Sequence, residues 1–263
     1  MPTRVTLSIT AILCPFLLIG SLRAQSPASS QGQAPAAGSS PRNVSWEKLP
    51  SNFILDEKEI WLFPIQLAHG RHLVPTLFVL GTATGLIFAD AHDAPYFRRT
   101  SSFQTFNRGF SGPITASEIA LVPTSFYLAG LIRGDSYSEK TALFAGEAVA
   151  DNLALNLIMK IASRRLRPSD IAPNGNFSGT FFRSNASVVN GSFPSAHAMA
   201  AFSVATVLAE RYRGHRWVPW VVYGVAATIC FSRITLQSHF PSDVFLGAAL
   251  SYPIARFVVL EGH

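Results

Sequence analysis

Cysteine is scarce in this sequence. The chain has two, and Cys14 falls in an N-terminal segment that is expected to be removed on export. Cys230 would then be alone, which excludes an intramolecular disulfide in the mature protein. It lies in an apolar helical run, so we expect it to be a small buried hydrophobic residue.

Charge is also scarce. Only 14% of the 263 residues are charged, whereas 48% are hydrophobic. This composition lies between that of a very apolar soluble helical protein and that of a compact membrane protein, and it leaves both open. Beyond the first fifty residues nothing marks a domain boundary, so one domain is expected.

Motifs for metal ions and nucleic acids are missing. No His-x3-His, His-Glu-x2-His or carboxylate cluster occurs, so we expect no metal site and no cofactor. The formal net charge of +6 suits nucleic acid, a membrane surface or an anionic substrate. Zinc-finger spacings and RNA-binding patterns are absent, which argues against a nucleic-acid partner.

The first 24 residues have the pattern of a secretory signal peptide, with Arg4 in a short n-region, an apolar run and small residues up to Ala24. This pattern predicts export, and an uncleaved anchor is the alternative. The residues that follow are rich in Ser, Ala, Gln, Pro and Gly, which predicts a flexible linker over 25–50. Residues 51–263 would then form the folded domain.

Sustained period-2 alternation, the mark of a half-buried β-strand, is absent as well. Apolar stretches bounded by Pro, Gly or charge recur at 73–89, 119–132, 141–158, 198–209, 217–231 and 244–260. These stretches predict an all-α fold, a helical bundle with about six core helices.

Whether these helices cross a membrane is harder to decide from sequence. Most of the apolar runs are shorter than the roughly 20 residues that a span needs. The short basic segment 210–217 is typical of a cytoplasmic loop, and low charge also favours insertion. We therefore predict an exported protein of the inner membrane with its active site facing the periplasm or outside, and a soluble periplasmic protein is the alternative.

That topology contains a conflict. Six spans with the basic segment 210–217 inside require the residues before 73 to be inside too. A cleaved signal peptide would instead leave those residues outside. One of the two assignments must be wrong.

Two cations precede a proline in the first of three motifs. Lys160 and Arg167 are seven residues apart, so on an α-helix both would lie along one face. Pro168 is expected to end that helix at Arg167. A solvated basic helix end is the alternative interpretation.

The second motif lies in the segment 190–210. Small residues surround Ser195, and an apolar helix follows at once with His197 near its start. The N-terminus of a helix offers unpaired N–H groups and a positive dipole end, so this motif predicts an anion site.

The third motif is the segment 232–243, which places a cation, an imidazole and a carboxylate close together. Arg233 is followed by His239 and Asp243. Residues i and i+4 on a helical turn are neighbours, so His239 and Asp243 are expected to interact. Alone, such a pair is more often a structural hydrogen bond than a catalytic one.

The order of the three motifs resembles the signature of the type 2 phosphatidic acid phosphatase (PAP2) superfamily, which also includes bacterial class A acid phosphatases and vanadium haloperoxidases. The resemblance covers roughly residues 140–255. The matching residues are Lys160-x6-Arg167-Pro168, Pro194-Ser195-Ala196-His197 and Ser232-Arg233-x5-His239-x3-Asp243. Ala196 stands where the family usually has Gly, which would cost about 1 kcal/mol if the backbone there needs a positive φ.

The resemblance implies catalytic roles for three residues. His239 would be the nucleophile that attacks phosphorus and carries a phosphohistidine. Asp243 would hold the other ring nitrogen of His239 and so fix its tautomer. His197 would be the general acid that protonates the departing oxygen.

The resemblance also implies a cradle for the phosphate oxygens. It consists of Lys160, Arg167 and Arg233, together with backbone N–H groups near Ser195 and Ala196. Three fixed cations would replace a metal ion.

The sequence therefore predicts a metal-independent phosphatase that acts on a phosphomonoester or a diphosphate, with a lipid phosphate favoured. A class A-type acid phosphatase acting on soluble phosphoesters is one alternative. A vanadium haloperoxidase is another, although such proteins tend to be much longer. A non-catalytic protein that binds an anion or a lipid is the third.

Overall fold

A computed structural model describes residues 42–187 and 189–262. The predicted signal peptide, 1–24, and most of the predicted linker lie outside the described residues. Within that part of the chain the fold is all-α, with eight α-helices and no strand, so the predicted fold class is confirmed.

The helices follow one another with short connections, except for one long segment between α5 and α6. The α-helices are α1 (Leu49–Ala68), α2 (Leu73–Arg99), α3 (Gln104–Asn107), α4 (Gly112–Arg133), α5 (Ser136–Ser163), α6 (Ala196–Arg211), α7 (Val218–Thr235) and α8 (Pro241–Pro253). A 3-10 turn, Pro168–Asp170, lies in the long segment, and a π-helical stretch, Ile254–Val259, continues α8.

Helix α6 forms the centre of the bundle. It packs against α4, α5, α7 and α8, and most of its residues are buried. Its sequence is rich in Ala, Ser and Val, and small side chains let neighbouring helices approach closely. The site residues at its N-terminus are therefore held by the best-packed element of the fold.

Five helical segments of the described chain are long and apolar enough to cross a membrane. They are Leu73–Arg99, Gly112–Arg133, Ser136–Asp170, Val218–Thr235 and Pro241–Val259. The helices α2, α4 and α5 extend well beyond the apolar runs visible in the sequence, because they include buried polar residues such as Asp90, Thr115 and Ser138. Large apolar side chains such as Phe88, Ile132 and Trp220 are exposed on its outside, as expected for a membrane protein.

The bundle has two distinct ends. Helix α8 and its π-helical continuation span 19 residues, or about 28 Å at the rise of an α-helix. At the far end, Arg256 forms an ion pair with Glu210, near the C-terminus of α6, at 3.1 Å. Since α6 and α8 both begin at the other end, their N-terminal residues meet there.

Residues 42–48 pack against that far end, unlike the flexible linker that was predicted to extend to residue 50. Arg42 donates to the carbonyl oxygens of Val258 and Val259 at 2.8 and 2.5 Å. Its guanidinium also pairs with Asp56 of α1 and Glu147 of α5, at 2.6 and 2.9 Å. The ordered part of the chain thus begins no later than Arg42.

Candidate active site

Four helix ends meet at one end of the bundle. These are the C-termini of α5 and α7 and the N-termini of α6 and α8. Backbone hydrogen bonds connect these ends and the segments next to them: Ser195 N donates to the carbonyl oxygen of Asp243 at 3.0 Å, and Ser192 N to that of Arg165 at 2.9 Å. All eight predicted site residues lie on these helix ends or on the segments next to them.

Helix α5 ends earlier than predicted. Its last residue is Ser163, and Arg164 adopts a left-handed conformation with φ of 41°. Arg167 follows in extended backbone, directly before the 3-10 turn. The prediction that Lys160 and Arg167 share one face of one helix is therefore wrong. Although the chain turns at Arg164, Lys160 and Arg167 still interact electrostatically.

His239 is 2% exposed and lies just before α8, not on a helical turn. Its Nδ1 is 2.7 Å from the carbonyl oxygen of Ser192. A carbonyl oxygen only accepts, so Nδ1 must carry the proton in the neutral ring. The lone pair is then on Nε2, the atom that a nucleophilic histidine would use.

The expected direct hydrogen bond between His239 and Asp243 is not present in the structure. Asp243 Oδ2 is 3.8 Å from His239 Nδ1, beyond hydrogen-bond distance. This carboxylate instead accepts from the hydroxyl of Ser192 and from the backbone N–H of Phe240, the latter at 2.7 Å. Ser192 therefore connects the two residues, since its hydroxyl donates to Asp243 and its carbonyl accepts from His239.

Three cations near His239 have N–H groups that the protein does not use. The Nε atom of Arg167 is buried without a hydrogen-bond partner in the described part of the chain. Lys160 is 7% exposed, and no described residue accepts from its Nζ. Arg233 donates through Nε and Nη2 to Ser232 and Thr115, and no described residue accepts from its Nη1. Of these donors the Nε of Arg167 is buried, and a buried donor without an acceptor is unfavourable, so this arrangement is suited to bind an anion.

Burial and positive neighbours act on both histidines. Burial lowers the pKa of His239 below its ordinary value; Asp243 opposes this shift, and Arg167 and Lys160 reinforce it. Burial likewise lowers the pKa of His197 to about 4, with Arg233 as the next cause. Both rings are therefore neutral near pH 7.

The N-terminus of α6 differs in one respect from the predicted cradle. Ser195 is the N-cap residue, and its hydroxyl accepts from Ala198 N at 3.4 Å. Its own backbone N–H donates to Asp243, so it is not available to a phosphate oxygen. Ala196 begins the helix and is not among the described residues with positive φ, so alanine carries no backbone strain there.

His197 stands between the polar site and an apolar cavity. Its Nε2 is 3.2 Å from the carbonyl oxygen of Gly112 at the start of α4. Because that carbonyl only accepts, the nitrogen that can exchange a proton with a ligand is Nδ1.

The cavity has a volume of about 780 Å³ and lies between α1, α4, α5 and α6. Its walls are formed almost entirely by apolar side chains and small residues, such as Leu49, Gly146 and Leu153. Ala196 and His197 line its end at the polar site. A ligand with a phosphate in the polar site could thus extend an apolar tail into the cavity.

Three buried residues of the site were not singled out from the sequence: Asp90, Arg165 and Ser192. Arg165 forms ion pairs with both Asp90 and Asp243. Arg165 lies within the first motif and Ser192 within the segment of the second, so the sequence shows that both are close in the chain to predicted site residues. Asp90 is on α2, and no feature of the sequence connects it to the motifs.

Within residues 42–187 and 189–262, no group of three or more His, Cys, Asp and Glu side chains is arranged to hold a metal ion. In a comparison with known families, residues 141–261 match the family model described as PAP2 superfamily. The matched region contains all eight predicted site residues and excludes α2. No curated protein and no solved structure matches the chain.

Proposed function

Because residues 141–261 form a PAP2 superfamily domain, we propose that this protein is a membrane phosphatase that hydrolyses a lipid phosphate or lipid diphosphate through a phosphohistidine intermediate. The observation that carries the proposal is the set of unused N–H groups on Lys160, Arg167 and Arg233 beside the free Nε2 of His239. A tetrahedral dianion supplies acceptors for these donors and a phosphorus atom for the lone pair.

Substrate binding would use the three cations. Guanidinium groups match phosphate oxygens with paired, charge-assisted hydrogen bonds, and the ammonium of Lys160 adds a compact charge. The guanidinium of Arg233 is fixed before the substrate arrives, because it donates to the hydroxyls of Ser232 and Thr115. Preorganised donors stabilise the charge that shifts onto the equatorial oxygens in the transition state.

The first chemical step forms a bond between His239 Nε2 and phosphorus and breaks the bond from phosphorus to the leaving oxygen. The electron pair of the broken bond goes to that oxygen, which takes a proton from His197 Nδ1. His197 is neutral near pH 7 before the substrate binds, so it must acquire this proton when the substrate binds. The negative charge of the phosphate favours that, because an anion nearby stabilises the imidazolium.

The second step releases phosphate. Neutral His197 accepts a proton from a water molecule as the water oxygen attacks phosphorus. The bond between phosphorus and His239 Nε2 breaks, and its electron pair returns to the ring. Inorganic phosphate then leaves, and the Nδ1–H bond of His239 to Ser192 holds the ring in place throughout.

The apolar cavity and the five candidate spans favour a lipid substrate over a soluble one. A polar phosphoester would leave a cavity of about 780 Å³ with nothing to fill it. A lipid tail would bury apolar surface there, worth about 25 cal/mol for each Å².

The test is phosphate release by the purified protein in detergent, with a chelator present. A long-chain lipid phosphate and a small aryl phosphate are compared at equal concentration. We expect a higher kcat/KM for the lipid phosphate. A preference for the aryl phosphate would favour a soluble-substrate phosphatase, and release from neither would overturn the proposal.

A further inference from the structure

A chain of buried ion pairs and hydrogen bonds runs from helix α2 to the nucleophile candidate. Arg165 Nη2 is 2.6 Å from Asp90 Oδ2, and Arg165 Nη1 is 2.5 Å from Asp243 Oδ1. The side chains of all three residues are at most 1% exposed. Neither of the two aspartates is a surface charge, so both interactions are made without competition from water.

Ser242 makes this arrangement more rigid. Its backbone N–H donates to Asp90 Oδ1 at 3.2 Å, and its hydroxyl donates to the other oxygen of the same carboxylate. The hydroxyl also accepts from Arg165 Nη1 at 2.7 Å. Asp90 therefore holds both Arg165 and the first turn of α8, the turn that carries Asp243.

The guanidinium of Arg165 is fixed in orientation as well as in position. It lies over the ring of Phe240 at 4.1 Å and over that of Phe181 at 4.4 Å. Its Nε donates to the hydroxyl of Thr180 at 3.1 Å. A planar group held between rings and bonded at three nitrogens cannot be replaced by the flexible ammonium of lysine.

The donors around the Asp243 carboxylate determine which hydrogen bonds Ser192 can form. This carboxylate accepts from Arg165 Nη1 at 2.5 Å and from the backbone N–H of Phe240 at 2.7 Å. The hydroxyl of Ser192 must then donate to it, and the carbonyl of Ser192 remains in place to accept from His239 Nδ1. The tautomer of His239 thus depends on a carboxylate that Arg165 and Asp90 hold.

We propose that Arg165 and Asp90 are positioning residues for His239, and that they act through Asp243 and Ser192. Asp90 lies outside the matched domain, so helix α2 would contribute to catalysis without touching the substrate. The inference rests on the proposed function for its kinetic test, but its structural content, the tautomer of His239, can be measured without any turnover.

A merely structural role is the competing explanation. Arg165 also ties the segment after α5 to α2, and that segment carries Arg167. If this were its whole role, its loss would displace Arg167 and weaken phosphate binding. If it positions His239, its loss would slow the chemical step and leave phosphate binding unchanged.

The variants are Asp90→Asn and Arg165→Lys. Asn has nearly the shape of Asp and keeps one acceptor, so Asp90→Asn is the milder change and decides the question if Arg165→Lys fails to fold. The matched controls are Asp93→Asn on the same helix and Arg164→Lys in the same segment. Arg164 bonds to the carbonyl oxygen of Ser184 and takes no part in the chain described above.

In the kinetic test, both variants should lower kcat by roughly 10- to 100-fold, the range for outer partners that orient a reactive group. The KM and the inhibition constant of inorganic phosphate should stay unchanged. The acidic limb of the pH profile of kcat/KM should be displaced along the pH axis. Both controls should match the unsubstituted protein. A rise in KM and in the phosphate inhibition constant, with kcat unchanged, would overturn the proposal.

The second readout is the ¹⁵N NMR spectrum of the histidine rings, with His239→Ala used for assignment. We expect His239 to be the Nδ1–H tautomer in the unsubstituted protein and a mixture of tautomers in both variants. An unaltered tautomer in both would also overturn the proposal. If the unsubstituted protein hydrolyses no phosphate, the proposed function fails, and this spectrum still decides whether Arg165 and Asp90 position the ring.

Discussion

His239 donates from Nδ1 to the carbonyl oxygen of Ser192 at 2.7 Å, and this bond leaves Nε2 as the only ring nitrogen with a free lone pair. A backbone carbonyl cannot change its protonation state, unlike a carboxylate. The tautomer is therefore set by a group that does not titrate, and the buried ring stays neutral through the neutral pH range because its pKa is lowered.

His239→Ala should abolish turnover, because no other group near the site can act as the nucleophile. The bundle should remain folded, since the loss of one buried ring leaves the main apolar core unchanged. Phosphate release and acid-labile labelling with radioactive substrate are the measurements. Hydrolysis above a few per cent of the original rate would contradict the phosphohistidine mechanism.

His197→Ala should reduce the hydrolysis of alkyl phosphates much more than that of aryl phosphates, because good leaving groups need no proton. General acid catalysis typically contributes about 10²- to 10⁴-fold. The ratio of kcat/KM for the two substrates measures the effect. Equal losses on both would remove His197 as the acid.

The pKa of His197 predicts how kcat/KM depends on pH. In the free protein the pKa of His197 is about 4, so the protonated fraction falls as the pH rises above that value. For alkyl phosphates, kcat/KM should therefore decrease from mildly acidic pH toward pH 8. His197→Ala should flatten this decrease, and a profile that is the same in both proteins would contradict the assignment.

Arg167→Gln should weaken catalysis without destabilising the fold, because the Nε of Arg167 bonds to no described residue. A hydrogen bond to a charged group contributes about 1.5–3 kcal/mol, which corresponds to roughly a 10- to 150-fold loss in kcat/KM. Arg183→Gln is the matched control, since Arg183 is exposed in the same segment. A similar loss in both variants would indicate that general charge, not a specific contact, matters.

The sequence predicted those features of the site that residues close together in the chain determine. It did not predict the pairings between residues far apart in the chain. The motif residues were found because short segments fix their spacing, and the helix ends that carry them are close in the chain to Pro, Gly or Ser. The pairing of Arg165 with Asp90 joins residues 75 positions apart, and that with Asp243 joins residues 78 apart. No periodicity or turn signal reports such pairings.

The errors have local causes. The helix α5 was expected to continue to Arg167, yet Arg164 takes a left-handed conformation three residues earlier and redirects the chain. The apolar runs underestimated the spans because Glu147, Asn152 and Asn156 interrupt them in the sequence. In the fold these side chains point into the bundle, where they are buried, so they do not prevent the helix from being a candidate span.

The apolar cavity predicts a change in substrate selection. A Cβ at Gly146 would point into open space, so Gly146→Leu should fill part of the cavity without a clash. We expect a higher KM for long-chain lipid phosphates and no change for a small aryl phosphate. Gly146→Ala tests the backbone effect alone, and Gly224→Leu on α7 tests an added leucine outside the cavity. Equal effects on both substrates would contradict a tail site in this cavity.

The position of residues 42–48 bears on the orientation of the chain in a membrane. Arg42 binds the carbonyl oxygens of Val258 and Val259, at the end of the bundle far from His239. The basic segment 210–217 lies at that same end, because it begins in the last residues of α6. Basic loops favour the cytoplasmic side, so His239 should face outside and Arg42 inside. A cleaved signal peptide would instead export Arg42, so with this orientation we expect no cleavage after Ala24.

Labelling of single cysteines in intact cells tests this orientation. In a background of Cys14→Ser and Cys230→Ala, we place a reporter cysteine by Ser184→Cys near the site, and by Gly214→Cys or Asn43→Cys at the far end. A membrane-impermeant maleimide should label the first variant only, and permeabilised cells should show labelling of all three. Labelling of Asn43→Cys and Gly214→Cys without Ser184→Cys would reverse the orientation and place the site in the cytoplasm. Labelling of Asn43→Cys together with Ser184→Cys would contradict the packing of Arg42 against the far end.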